Sequence, residues 1–110
     1  MAKNLRVTDV TIANAGTVST TVTLENNRVP LAVVTPAVMT GSALTFNTST
    51  DGSVFTPLFY ESSAYSITIA TSVARHYALN RAAFEGVKYV QVVSGSSEGE
   101  ARSLKVISGE

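Results

Sequence analysis

The chain has 110 residues, with eight basic and eight acidic side chains, one histidine and no cysteine. That length suits a single domain around one core. Balanced charge offers no clustered basic surface for a nucleic acid, and the missing thiols exclude a disulfide framework, a thiolate nucleophile and a cysteine-based zinc site.

Charged residues make up 15% of the chain, well below the roughly 25% usual in soluble domains. Such a surface fits contact with other protein, and it equally fits a Thr/Ser-rich monomer. Val, Leu and Ala carry the apolar positions and Thr and Ser the polar ones. Val and Thr are stiff at χ1 and pack well on a pleated surface, so the composition predicts an all-β chain.

The N-terminus "MAKNLRVTDV" has no apolar core of the signal-peptide kind, and no apolar run approaches the ~20 residues of a membrane helix. The expectation is a chain made in a cytoplasm, neither secreted by a signal peptide nor inserted in a membrane. "VTDVTIAN" (residues 7–14) is the first strand signal, and residues 1–14 read either as that strand or as an extended N-terminal arm. "VSTTVTL" (residues 18–24) alternates, with Val18, Thr20, Val22 and Leu24 on one face. In "RVPLAVV" (residues 28–34), Pro30 predicts an edge strand or a bulge, because proline cannot donate to a ladder. "TPAVMTGS" is a loop broken by Pro36 and Gly41.

"ALTFNTST" and "SVFTPLFY" follow as a pair joined at Asp51-Gly52, a dipeptide suited to a tight hairpin. "AYSITIA" places Tyr65, Ile67 and Ile69 on one face, and "VARHYAL" is a further strand. "NRAAFEG" (residues 80–86) combines an N-cap residue, helix formers and a terminal glycine, which predicts one short helical turn. "VKYVQVVSG", apolar on both faces, reads as a central strand, and "SLKVIS" closes the chain after the loop "SGSSEGEA". The expected fold is a single antiparallel β-sandwich over residues 1–110, jelly-roll-like, with eight or nine short strands.

Reactive constellations are sparse. His76 is the lone histidine and Asp9 and Asp51 are the two aspartates, so no acid–base pair can be assembled by spacing. "GSSEG" (residues 95–99) matches G-x-S-x-G with Ser97 as nucleophile, but a strand follows it and no histidine lies downstream, which excludes the hydrolase reading. Asp51-Gly52-Ser53 lacks the further acidic ligands of a calcium loop. Asn47-Thr48-Ser49 matches a glycosylation acceptor, which means little without a secretory route. Arg75, Arg81 and Arg102 read as single cations in solvent or at an interface. Of the eight Tyr and Phe residues most belong in a core at strand spacing, with Phe55, Tyr60 and Tyr65 as the rings to examine for exposure. The chain is expected to be no enzyme, with no catalytic residues, no metal site and no cofactor.

The stretches "ALTFNTSTDGSVFTPLF" and "NRAAFEGVKYVQVVSG" together resemble small virion proteins of tailed bacteriophages, in which an LTF…STDG…F hairpin precedes an AAF-x-G turn and a (K/R)-Y-(V/I) strand. They also look like discoidin-type galactose-binding sandwiches, and the likeness covers roughly residues 28–108. It implies a structural protein of a phage particle, located in the virion. Within that class it implies a capsid decoration (cement) protein bound to the major capsid protein, or a head-fibre or tail component, with self-association as a dimer or trimer. The alternative is a carbohydrate- or receptor-binding module of a phage fibre or tail, using exposed rings and the loop "TPAVMTGSA".

Overall fold

A computed structural model describes residues 5–25 and 28–109. Among them run eleven strands: β1 (Arg6–Ile12), β2 (Val22–Thr23), β3 (Val29–Val34), β4 (Ala43–Ser49), β5 (Thr56–Pro57), β6 (Phe59–Tyr60), β7 (Ser63–Ala64), β8 (Ile67–Thr68), β9 (His76–Ala78), β10 (Tyr89–Ser94) and β11 (Arg102–Gly109). One sheet has the order β1-β11-β3-β9, and a second has β2-β10-β4-β5 with β8 paired to the far end of β4. All the pairings are antiparallel.

The order has a simple origin. The two halves of the chain pair as one long ribbon, β4 with β8, β3 with β9, β2 with β10 and β1 with β11. Rolling that ribbon brings β11 against β3 and β10 against β4, which closes a four-stranded and a five-stranded layer over a shared core. This is the jelly roll expected from the strand spacing. The count exceeds the expected eight or nine because β5, β6 and β7 are short pieces within the connection between β4 and β8.

Alternation decides which side chains meet inside. Val10 and Ile12 of β1, Val33 of β3, and Leu104 and Val106 of β11 are buried from one sheet. Val22, Leu44, Phe46, Val90 and Val92 are buried from the other. At one end of this core Phe84 meets Phe46 edge-on at 5.2 Å and Tyr65 at 5.4 Å, a geometry that matches the positive ring edge to the negative face. Phe84 is held there by the expected turn. Residues Arg81–Phe84 form a single 3-10 turn, Asn80 caps it by accepting from the Ala82 N–H, and Gly86 then takes φ +85° before the chain enters β10. β10 lies between β2 and β4, the central position expected for it.

Several local expectations change. β3 is no edge strand: it lies between β11 and β9, and Pro30 sits where the β11 register shifts, beyond the three residues that β9 pairs. The bulge alternative therefore holds, since no ladder needs the missing N–H there. Val22 and Leu24 point inward as expected, but Val18 is exposed and Ser19 is buried, because residues 17–20 cross from β1 towards the edge of β10. Of residues 1–14, Arg6–Ile12 take the first-strand alternative, and residues 1–4 lie outside the described ones.

The Asp51-Gly52 hairpin is wider than a tight turn, with residues 50–55 between β4 and β5. Asp51 closes it by side chain, its Oδ1 accepting from the N–H groups of Ser53 and Val54 and from the Ser49 hydroxyl. Those contacts, the Ser53 N–H first, hold its carboxyl below the ordinary range. The tight two-residue hairpin lies instead at Glu61-Ser62, between the pairs Tyr60–Ser63 and Phe59–Ala64. Both loop residues adopt positive φ, 54° and 72°, the type I′ arrangement that favours Asn-Gly. Each left-handed non-glycine residue costs about 1 kcal/mol. Replacing the pair with Asn-Gly (E61N/S62G) is expected to raise the melting temperature by about 5 °C, read by calorimetry.

Candidate functional site

At the pole of the roll where β10 ends and β11 begins, three loops converge on one residue, Glu98. Ser94, the last residue of β10, donates its hydroxyl to Glu98 Oε2 at 2.6 Å. From the connection between β3 and β4, the N–H of Thr40 reaches Oε1 at 2.8 Å and that of Gly41 reaches Oε2 at 3.0 Å. Arg102, the first residue of β11, completes the set with Nε 2.9 Å from Oε1. The Glu98 backbone serves the third loop: its C=O accepts from Ala15 N–H at 2.7 Å, and its N–H donates to the Gly16 C=O at 3.0 Å. Ala15 takes φ 68° to make that contact.

The Glu98 side chain is 0% exposed and Arg102 only 12%. Burial alone pushes a carboxyl pKa up, but the Ser94 hydroxyl, the two backbone N–H groups and the guanidinium outweigh it and bring Glu98 down to about 2. All four donors favour the ionised form, so the charge is permanent at neutral pH and no proton moves. The arrangement is a clasp. Gly41 is required by it, because a Cβ there would press on Ser94 Oγ and stand 3.1 Å from the Gly95 and Ser96 nitrogens.

Sequence reasoning missed Glu98 and misjudged Arg102, which is the half-buried ion-pair partner of a buried carboxylate and not a single solvated cation. The available signal was an acid four residues ahead of an arginine, inside a Gly/Ser-rich connection between strands. Ser97, beside it, is exposed in a loop joining two sheets. His76 is exposed on β9 opposite Val34, and Arg75 is exposed beside it. Arg81 pairs with Glu85 at 3.5 Å on the surface. Among the described residues no three His, Asp or Glu side chains gather as metal ligands.

The rings sort differently from expectation. Tyr60 and Tyr65 are partly buried against the core, and the Tyr65 hydroxyl accepts from the Asn80 N–H. Phe55 is half-buried, and Phe59, 60% exposed on β6, is the ring that faces out. With it, Leu5, Val7, Val38, Val54 and Val73 present large apolar side chains to the outside. At the pole opposite the clasp, two depressions of about 270 and 360 Å³ flank residues Glu85, Gly86 and Val87, one bordered by Asp51 and Thr56 and the other by Arg28 and Lys88.

No protein-family model and no curated protein matches the chain. Among solved structures, a protein from work titled "Bacillus endospore appendages form a novel family of disulfide-linked pili" aligns over 99% of this chain and 89% of its own, at 14% identity and a TM-score of 0.44.

The clasp has a pH signature. Glu98 falls from the ordinary 4.5 in the unfolded chain to about 2 in the folded one, worth on the order of 3 kcal/mol. A depressed carboxyl stabilises above its unfolded value and loses that contribution as pH falls through the folded one. Urea unfolding is therefore expected to show stability falling between pH 4.5 and 2. Glu98→Gln, which leaves Arg102 without its counter-charge, should cost about 3 kcal/mol at pH 7 and flatten the acid limb.

Proposed function

We propose that the chain is a non-enzymatic structural protein of a phage particle, a capsid decoration protein that binds the major capsid protein lattice in the virion. The observation that carries this reading is the surface. Leu5, Val7, Val38, Val54 and Phe59 are each more than half exposed, on a chain whose charged content is 15%. Apolar side chains spread over a weakly charged roll suit docking on other protein better than life alone in water. The resemblance of the β4–β5 region and of the turn entering β10 to tailed-phage virion proteins supplies the particle.

The clasp at Glu98 supports such a role mechanically. It joins three loops at one pole through buried hydrogen bonds, so that pole presents a fixed shape. Many copies on a repeating shell add weak contacts through avidity, so individual affinity can be low.

The test is co-sedimentation with expanded capsid shells of a tailed phage that encodes the chain. Saturable binding that persists in high salt is the expected result, because the contacts are apolar and little screened. Absence from the shell pellet together with saturable binding to a glycan array would replace this reading with the carbohydrate-binding one, and Phe59→Ala should then abolish the sugar signal.

A further inference from the structure

β1 is the outer strand of its sheet, and its hydrogen bonds show which groups it leaves open. In an antiparallel ladder the N–H and C=O of a residue point to one side, and the side alternates along the strand. Thr11 turns both groups away from β11: its C=O accepts from the Thr20 N–H at 3.1 Å and its N–H donates to Thr20 Oγ1 at 3.2 Å. Asp9 and Val7 share that parity and point theirs to the same edge. Among the described residues no backbone hydrogen bond meets them there, because the segment that covers Thr11 leads away into β2 of the other sheet.

The side chains along this edge suit a second strand. Leu5 and Val7 are 60% and 57% exposed. Val7 begins a row of cross-strand neighbours through the half-buried Ile107, the buried Ala32 and the exposed Ala78. The charges on β1 are already matched within the chain, Arg6 with Glu25 at 3.2 Å and Asp9 with Lys105 at 2.7 Å. β1 carries no proline, no lysine and no bulge against β11, the usual devices that keep an edge from pairing.

We propose that β1 is a self-pairing edge, through which two copies of this chain join antiparallel about a twofold axis at Val7. In that register Val7 faces Val7 of the second copy and Leu5 faces Asp9, so the outward N–H and C=O groups of Val7 and Asp9 meet residues of the same parity. A register centred on Asp9 would oppose two carboxylates and run into Thr20. The two sheets fuse into one of eight strands, and the apolar rows become continuous across the join. The inference deepens the assembly reading above and rests on it, while naming the surface through which copies meet.

Light scattering over a dilution series tests it without any shell. The parent chain is expected to be a dimer that dissociates on dilution. Val7→Pro removes an N–H that β11 does not use, and Val7→Lys sets two cations face to face at the axis. Both should be monomeric at every dilution with unchanged circular dichroism. In this cysteine-free chain Val7→Cys should cross-link to its own kind on mild oxidation, while Val54→Cys, elsewhere on the surface, should not. A parent monomer throughout, a dimer that both Val7→Lys and Val7→Pro leave intact, or polymers that lengthen with concentration would each overturn the proposal. Shells that still bind the monomeric Val7→Lys chain would leave the decoration reading standing without the dimer.

Discussion

Everything in this molecule depends on the pairing of one half of the chain with the other. The ladder of β1 on β11 joins residues nearly a full chain length apart, and each inner pair of the ribbon joins residues progressively closer. Loop closure makes such pairings slow to form and costly in entropy, and burial of a shared apolar face offsets that cost. Once β4 has met β8 and β10, the remaining strands have one place each. The aromatic contact of Phe46, Phe84 and Tyr65 joins the two halves between the middle of β4 and the turn entering β10.

The opposite pole adds a buried charge to its apolar packing. Loops at the ends of a sandwich expose backbone groups that no ladder satisfies. Here a single carboxylate takes two of those N–H groups, a hydroxyl and a guanidinium, while its own backbone bonds the turn between β1 and β2. A buried carboxylate left without donors would be strongly destabilising. Surrounded by four of them it links three connections that are far apart in sequence, and Ala15 accepts an unfavourable φ to take part.

The same pairing logic governs the outside. A rolled ribbon leaves the first strand at the rim of its sheet, and the chain that follows can shield only part of it before departing for the second sheet. The open stretch coincides with exposed Val7 of β1 and with Leu5 just before it. An assembly protein can use such an edge, whereas a monomer has reason to blunt it.

Strand class and most strand positions follow from local chemistry: Val and Thr at period two, turn residues at short spacing, and the capped turn at Asn80. The sandwich was legible for that reason, and so were the central place of β10 and the anchoring of Phe84. Tertiary structure decided what depends on neighbours distant in sequence. Pro30 could not reveal whether β3 was an edge, because the answer lies in how far β9 extends beside it. Glu61-Ser62 forms the tight hairpin without Asn or Gly because the strands on either side hold it there. Glu98 looked like one more polar residue in a hydrophilic loop. Its role comes from two backbone N–H groups more than fifty residues away in the chain, and no local pattern records where those will point.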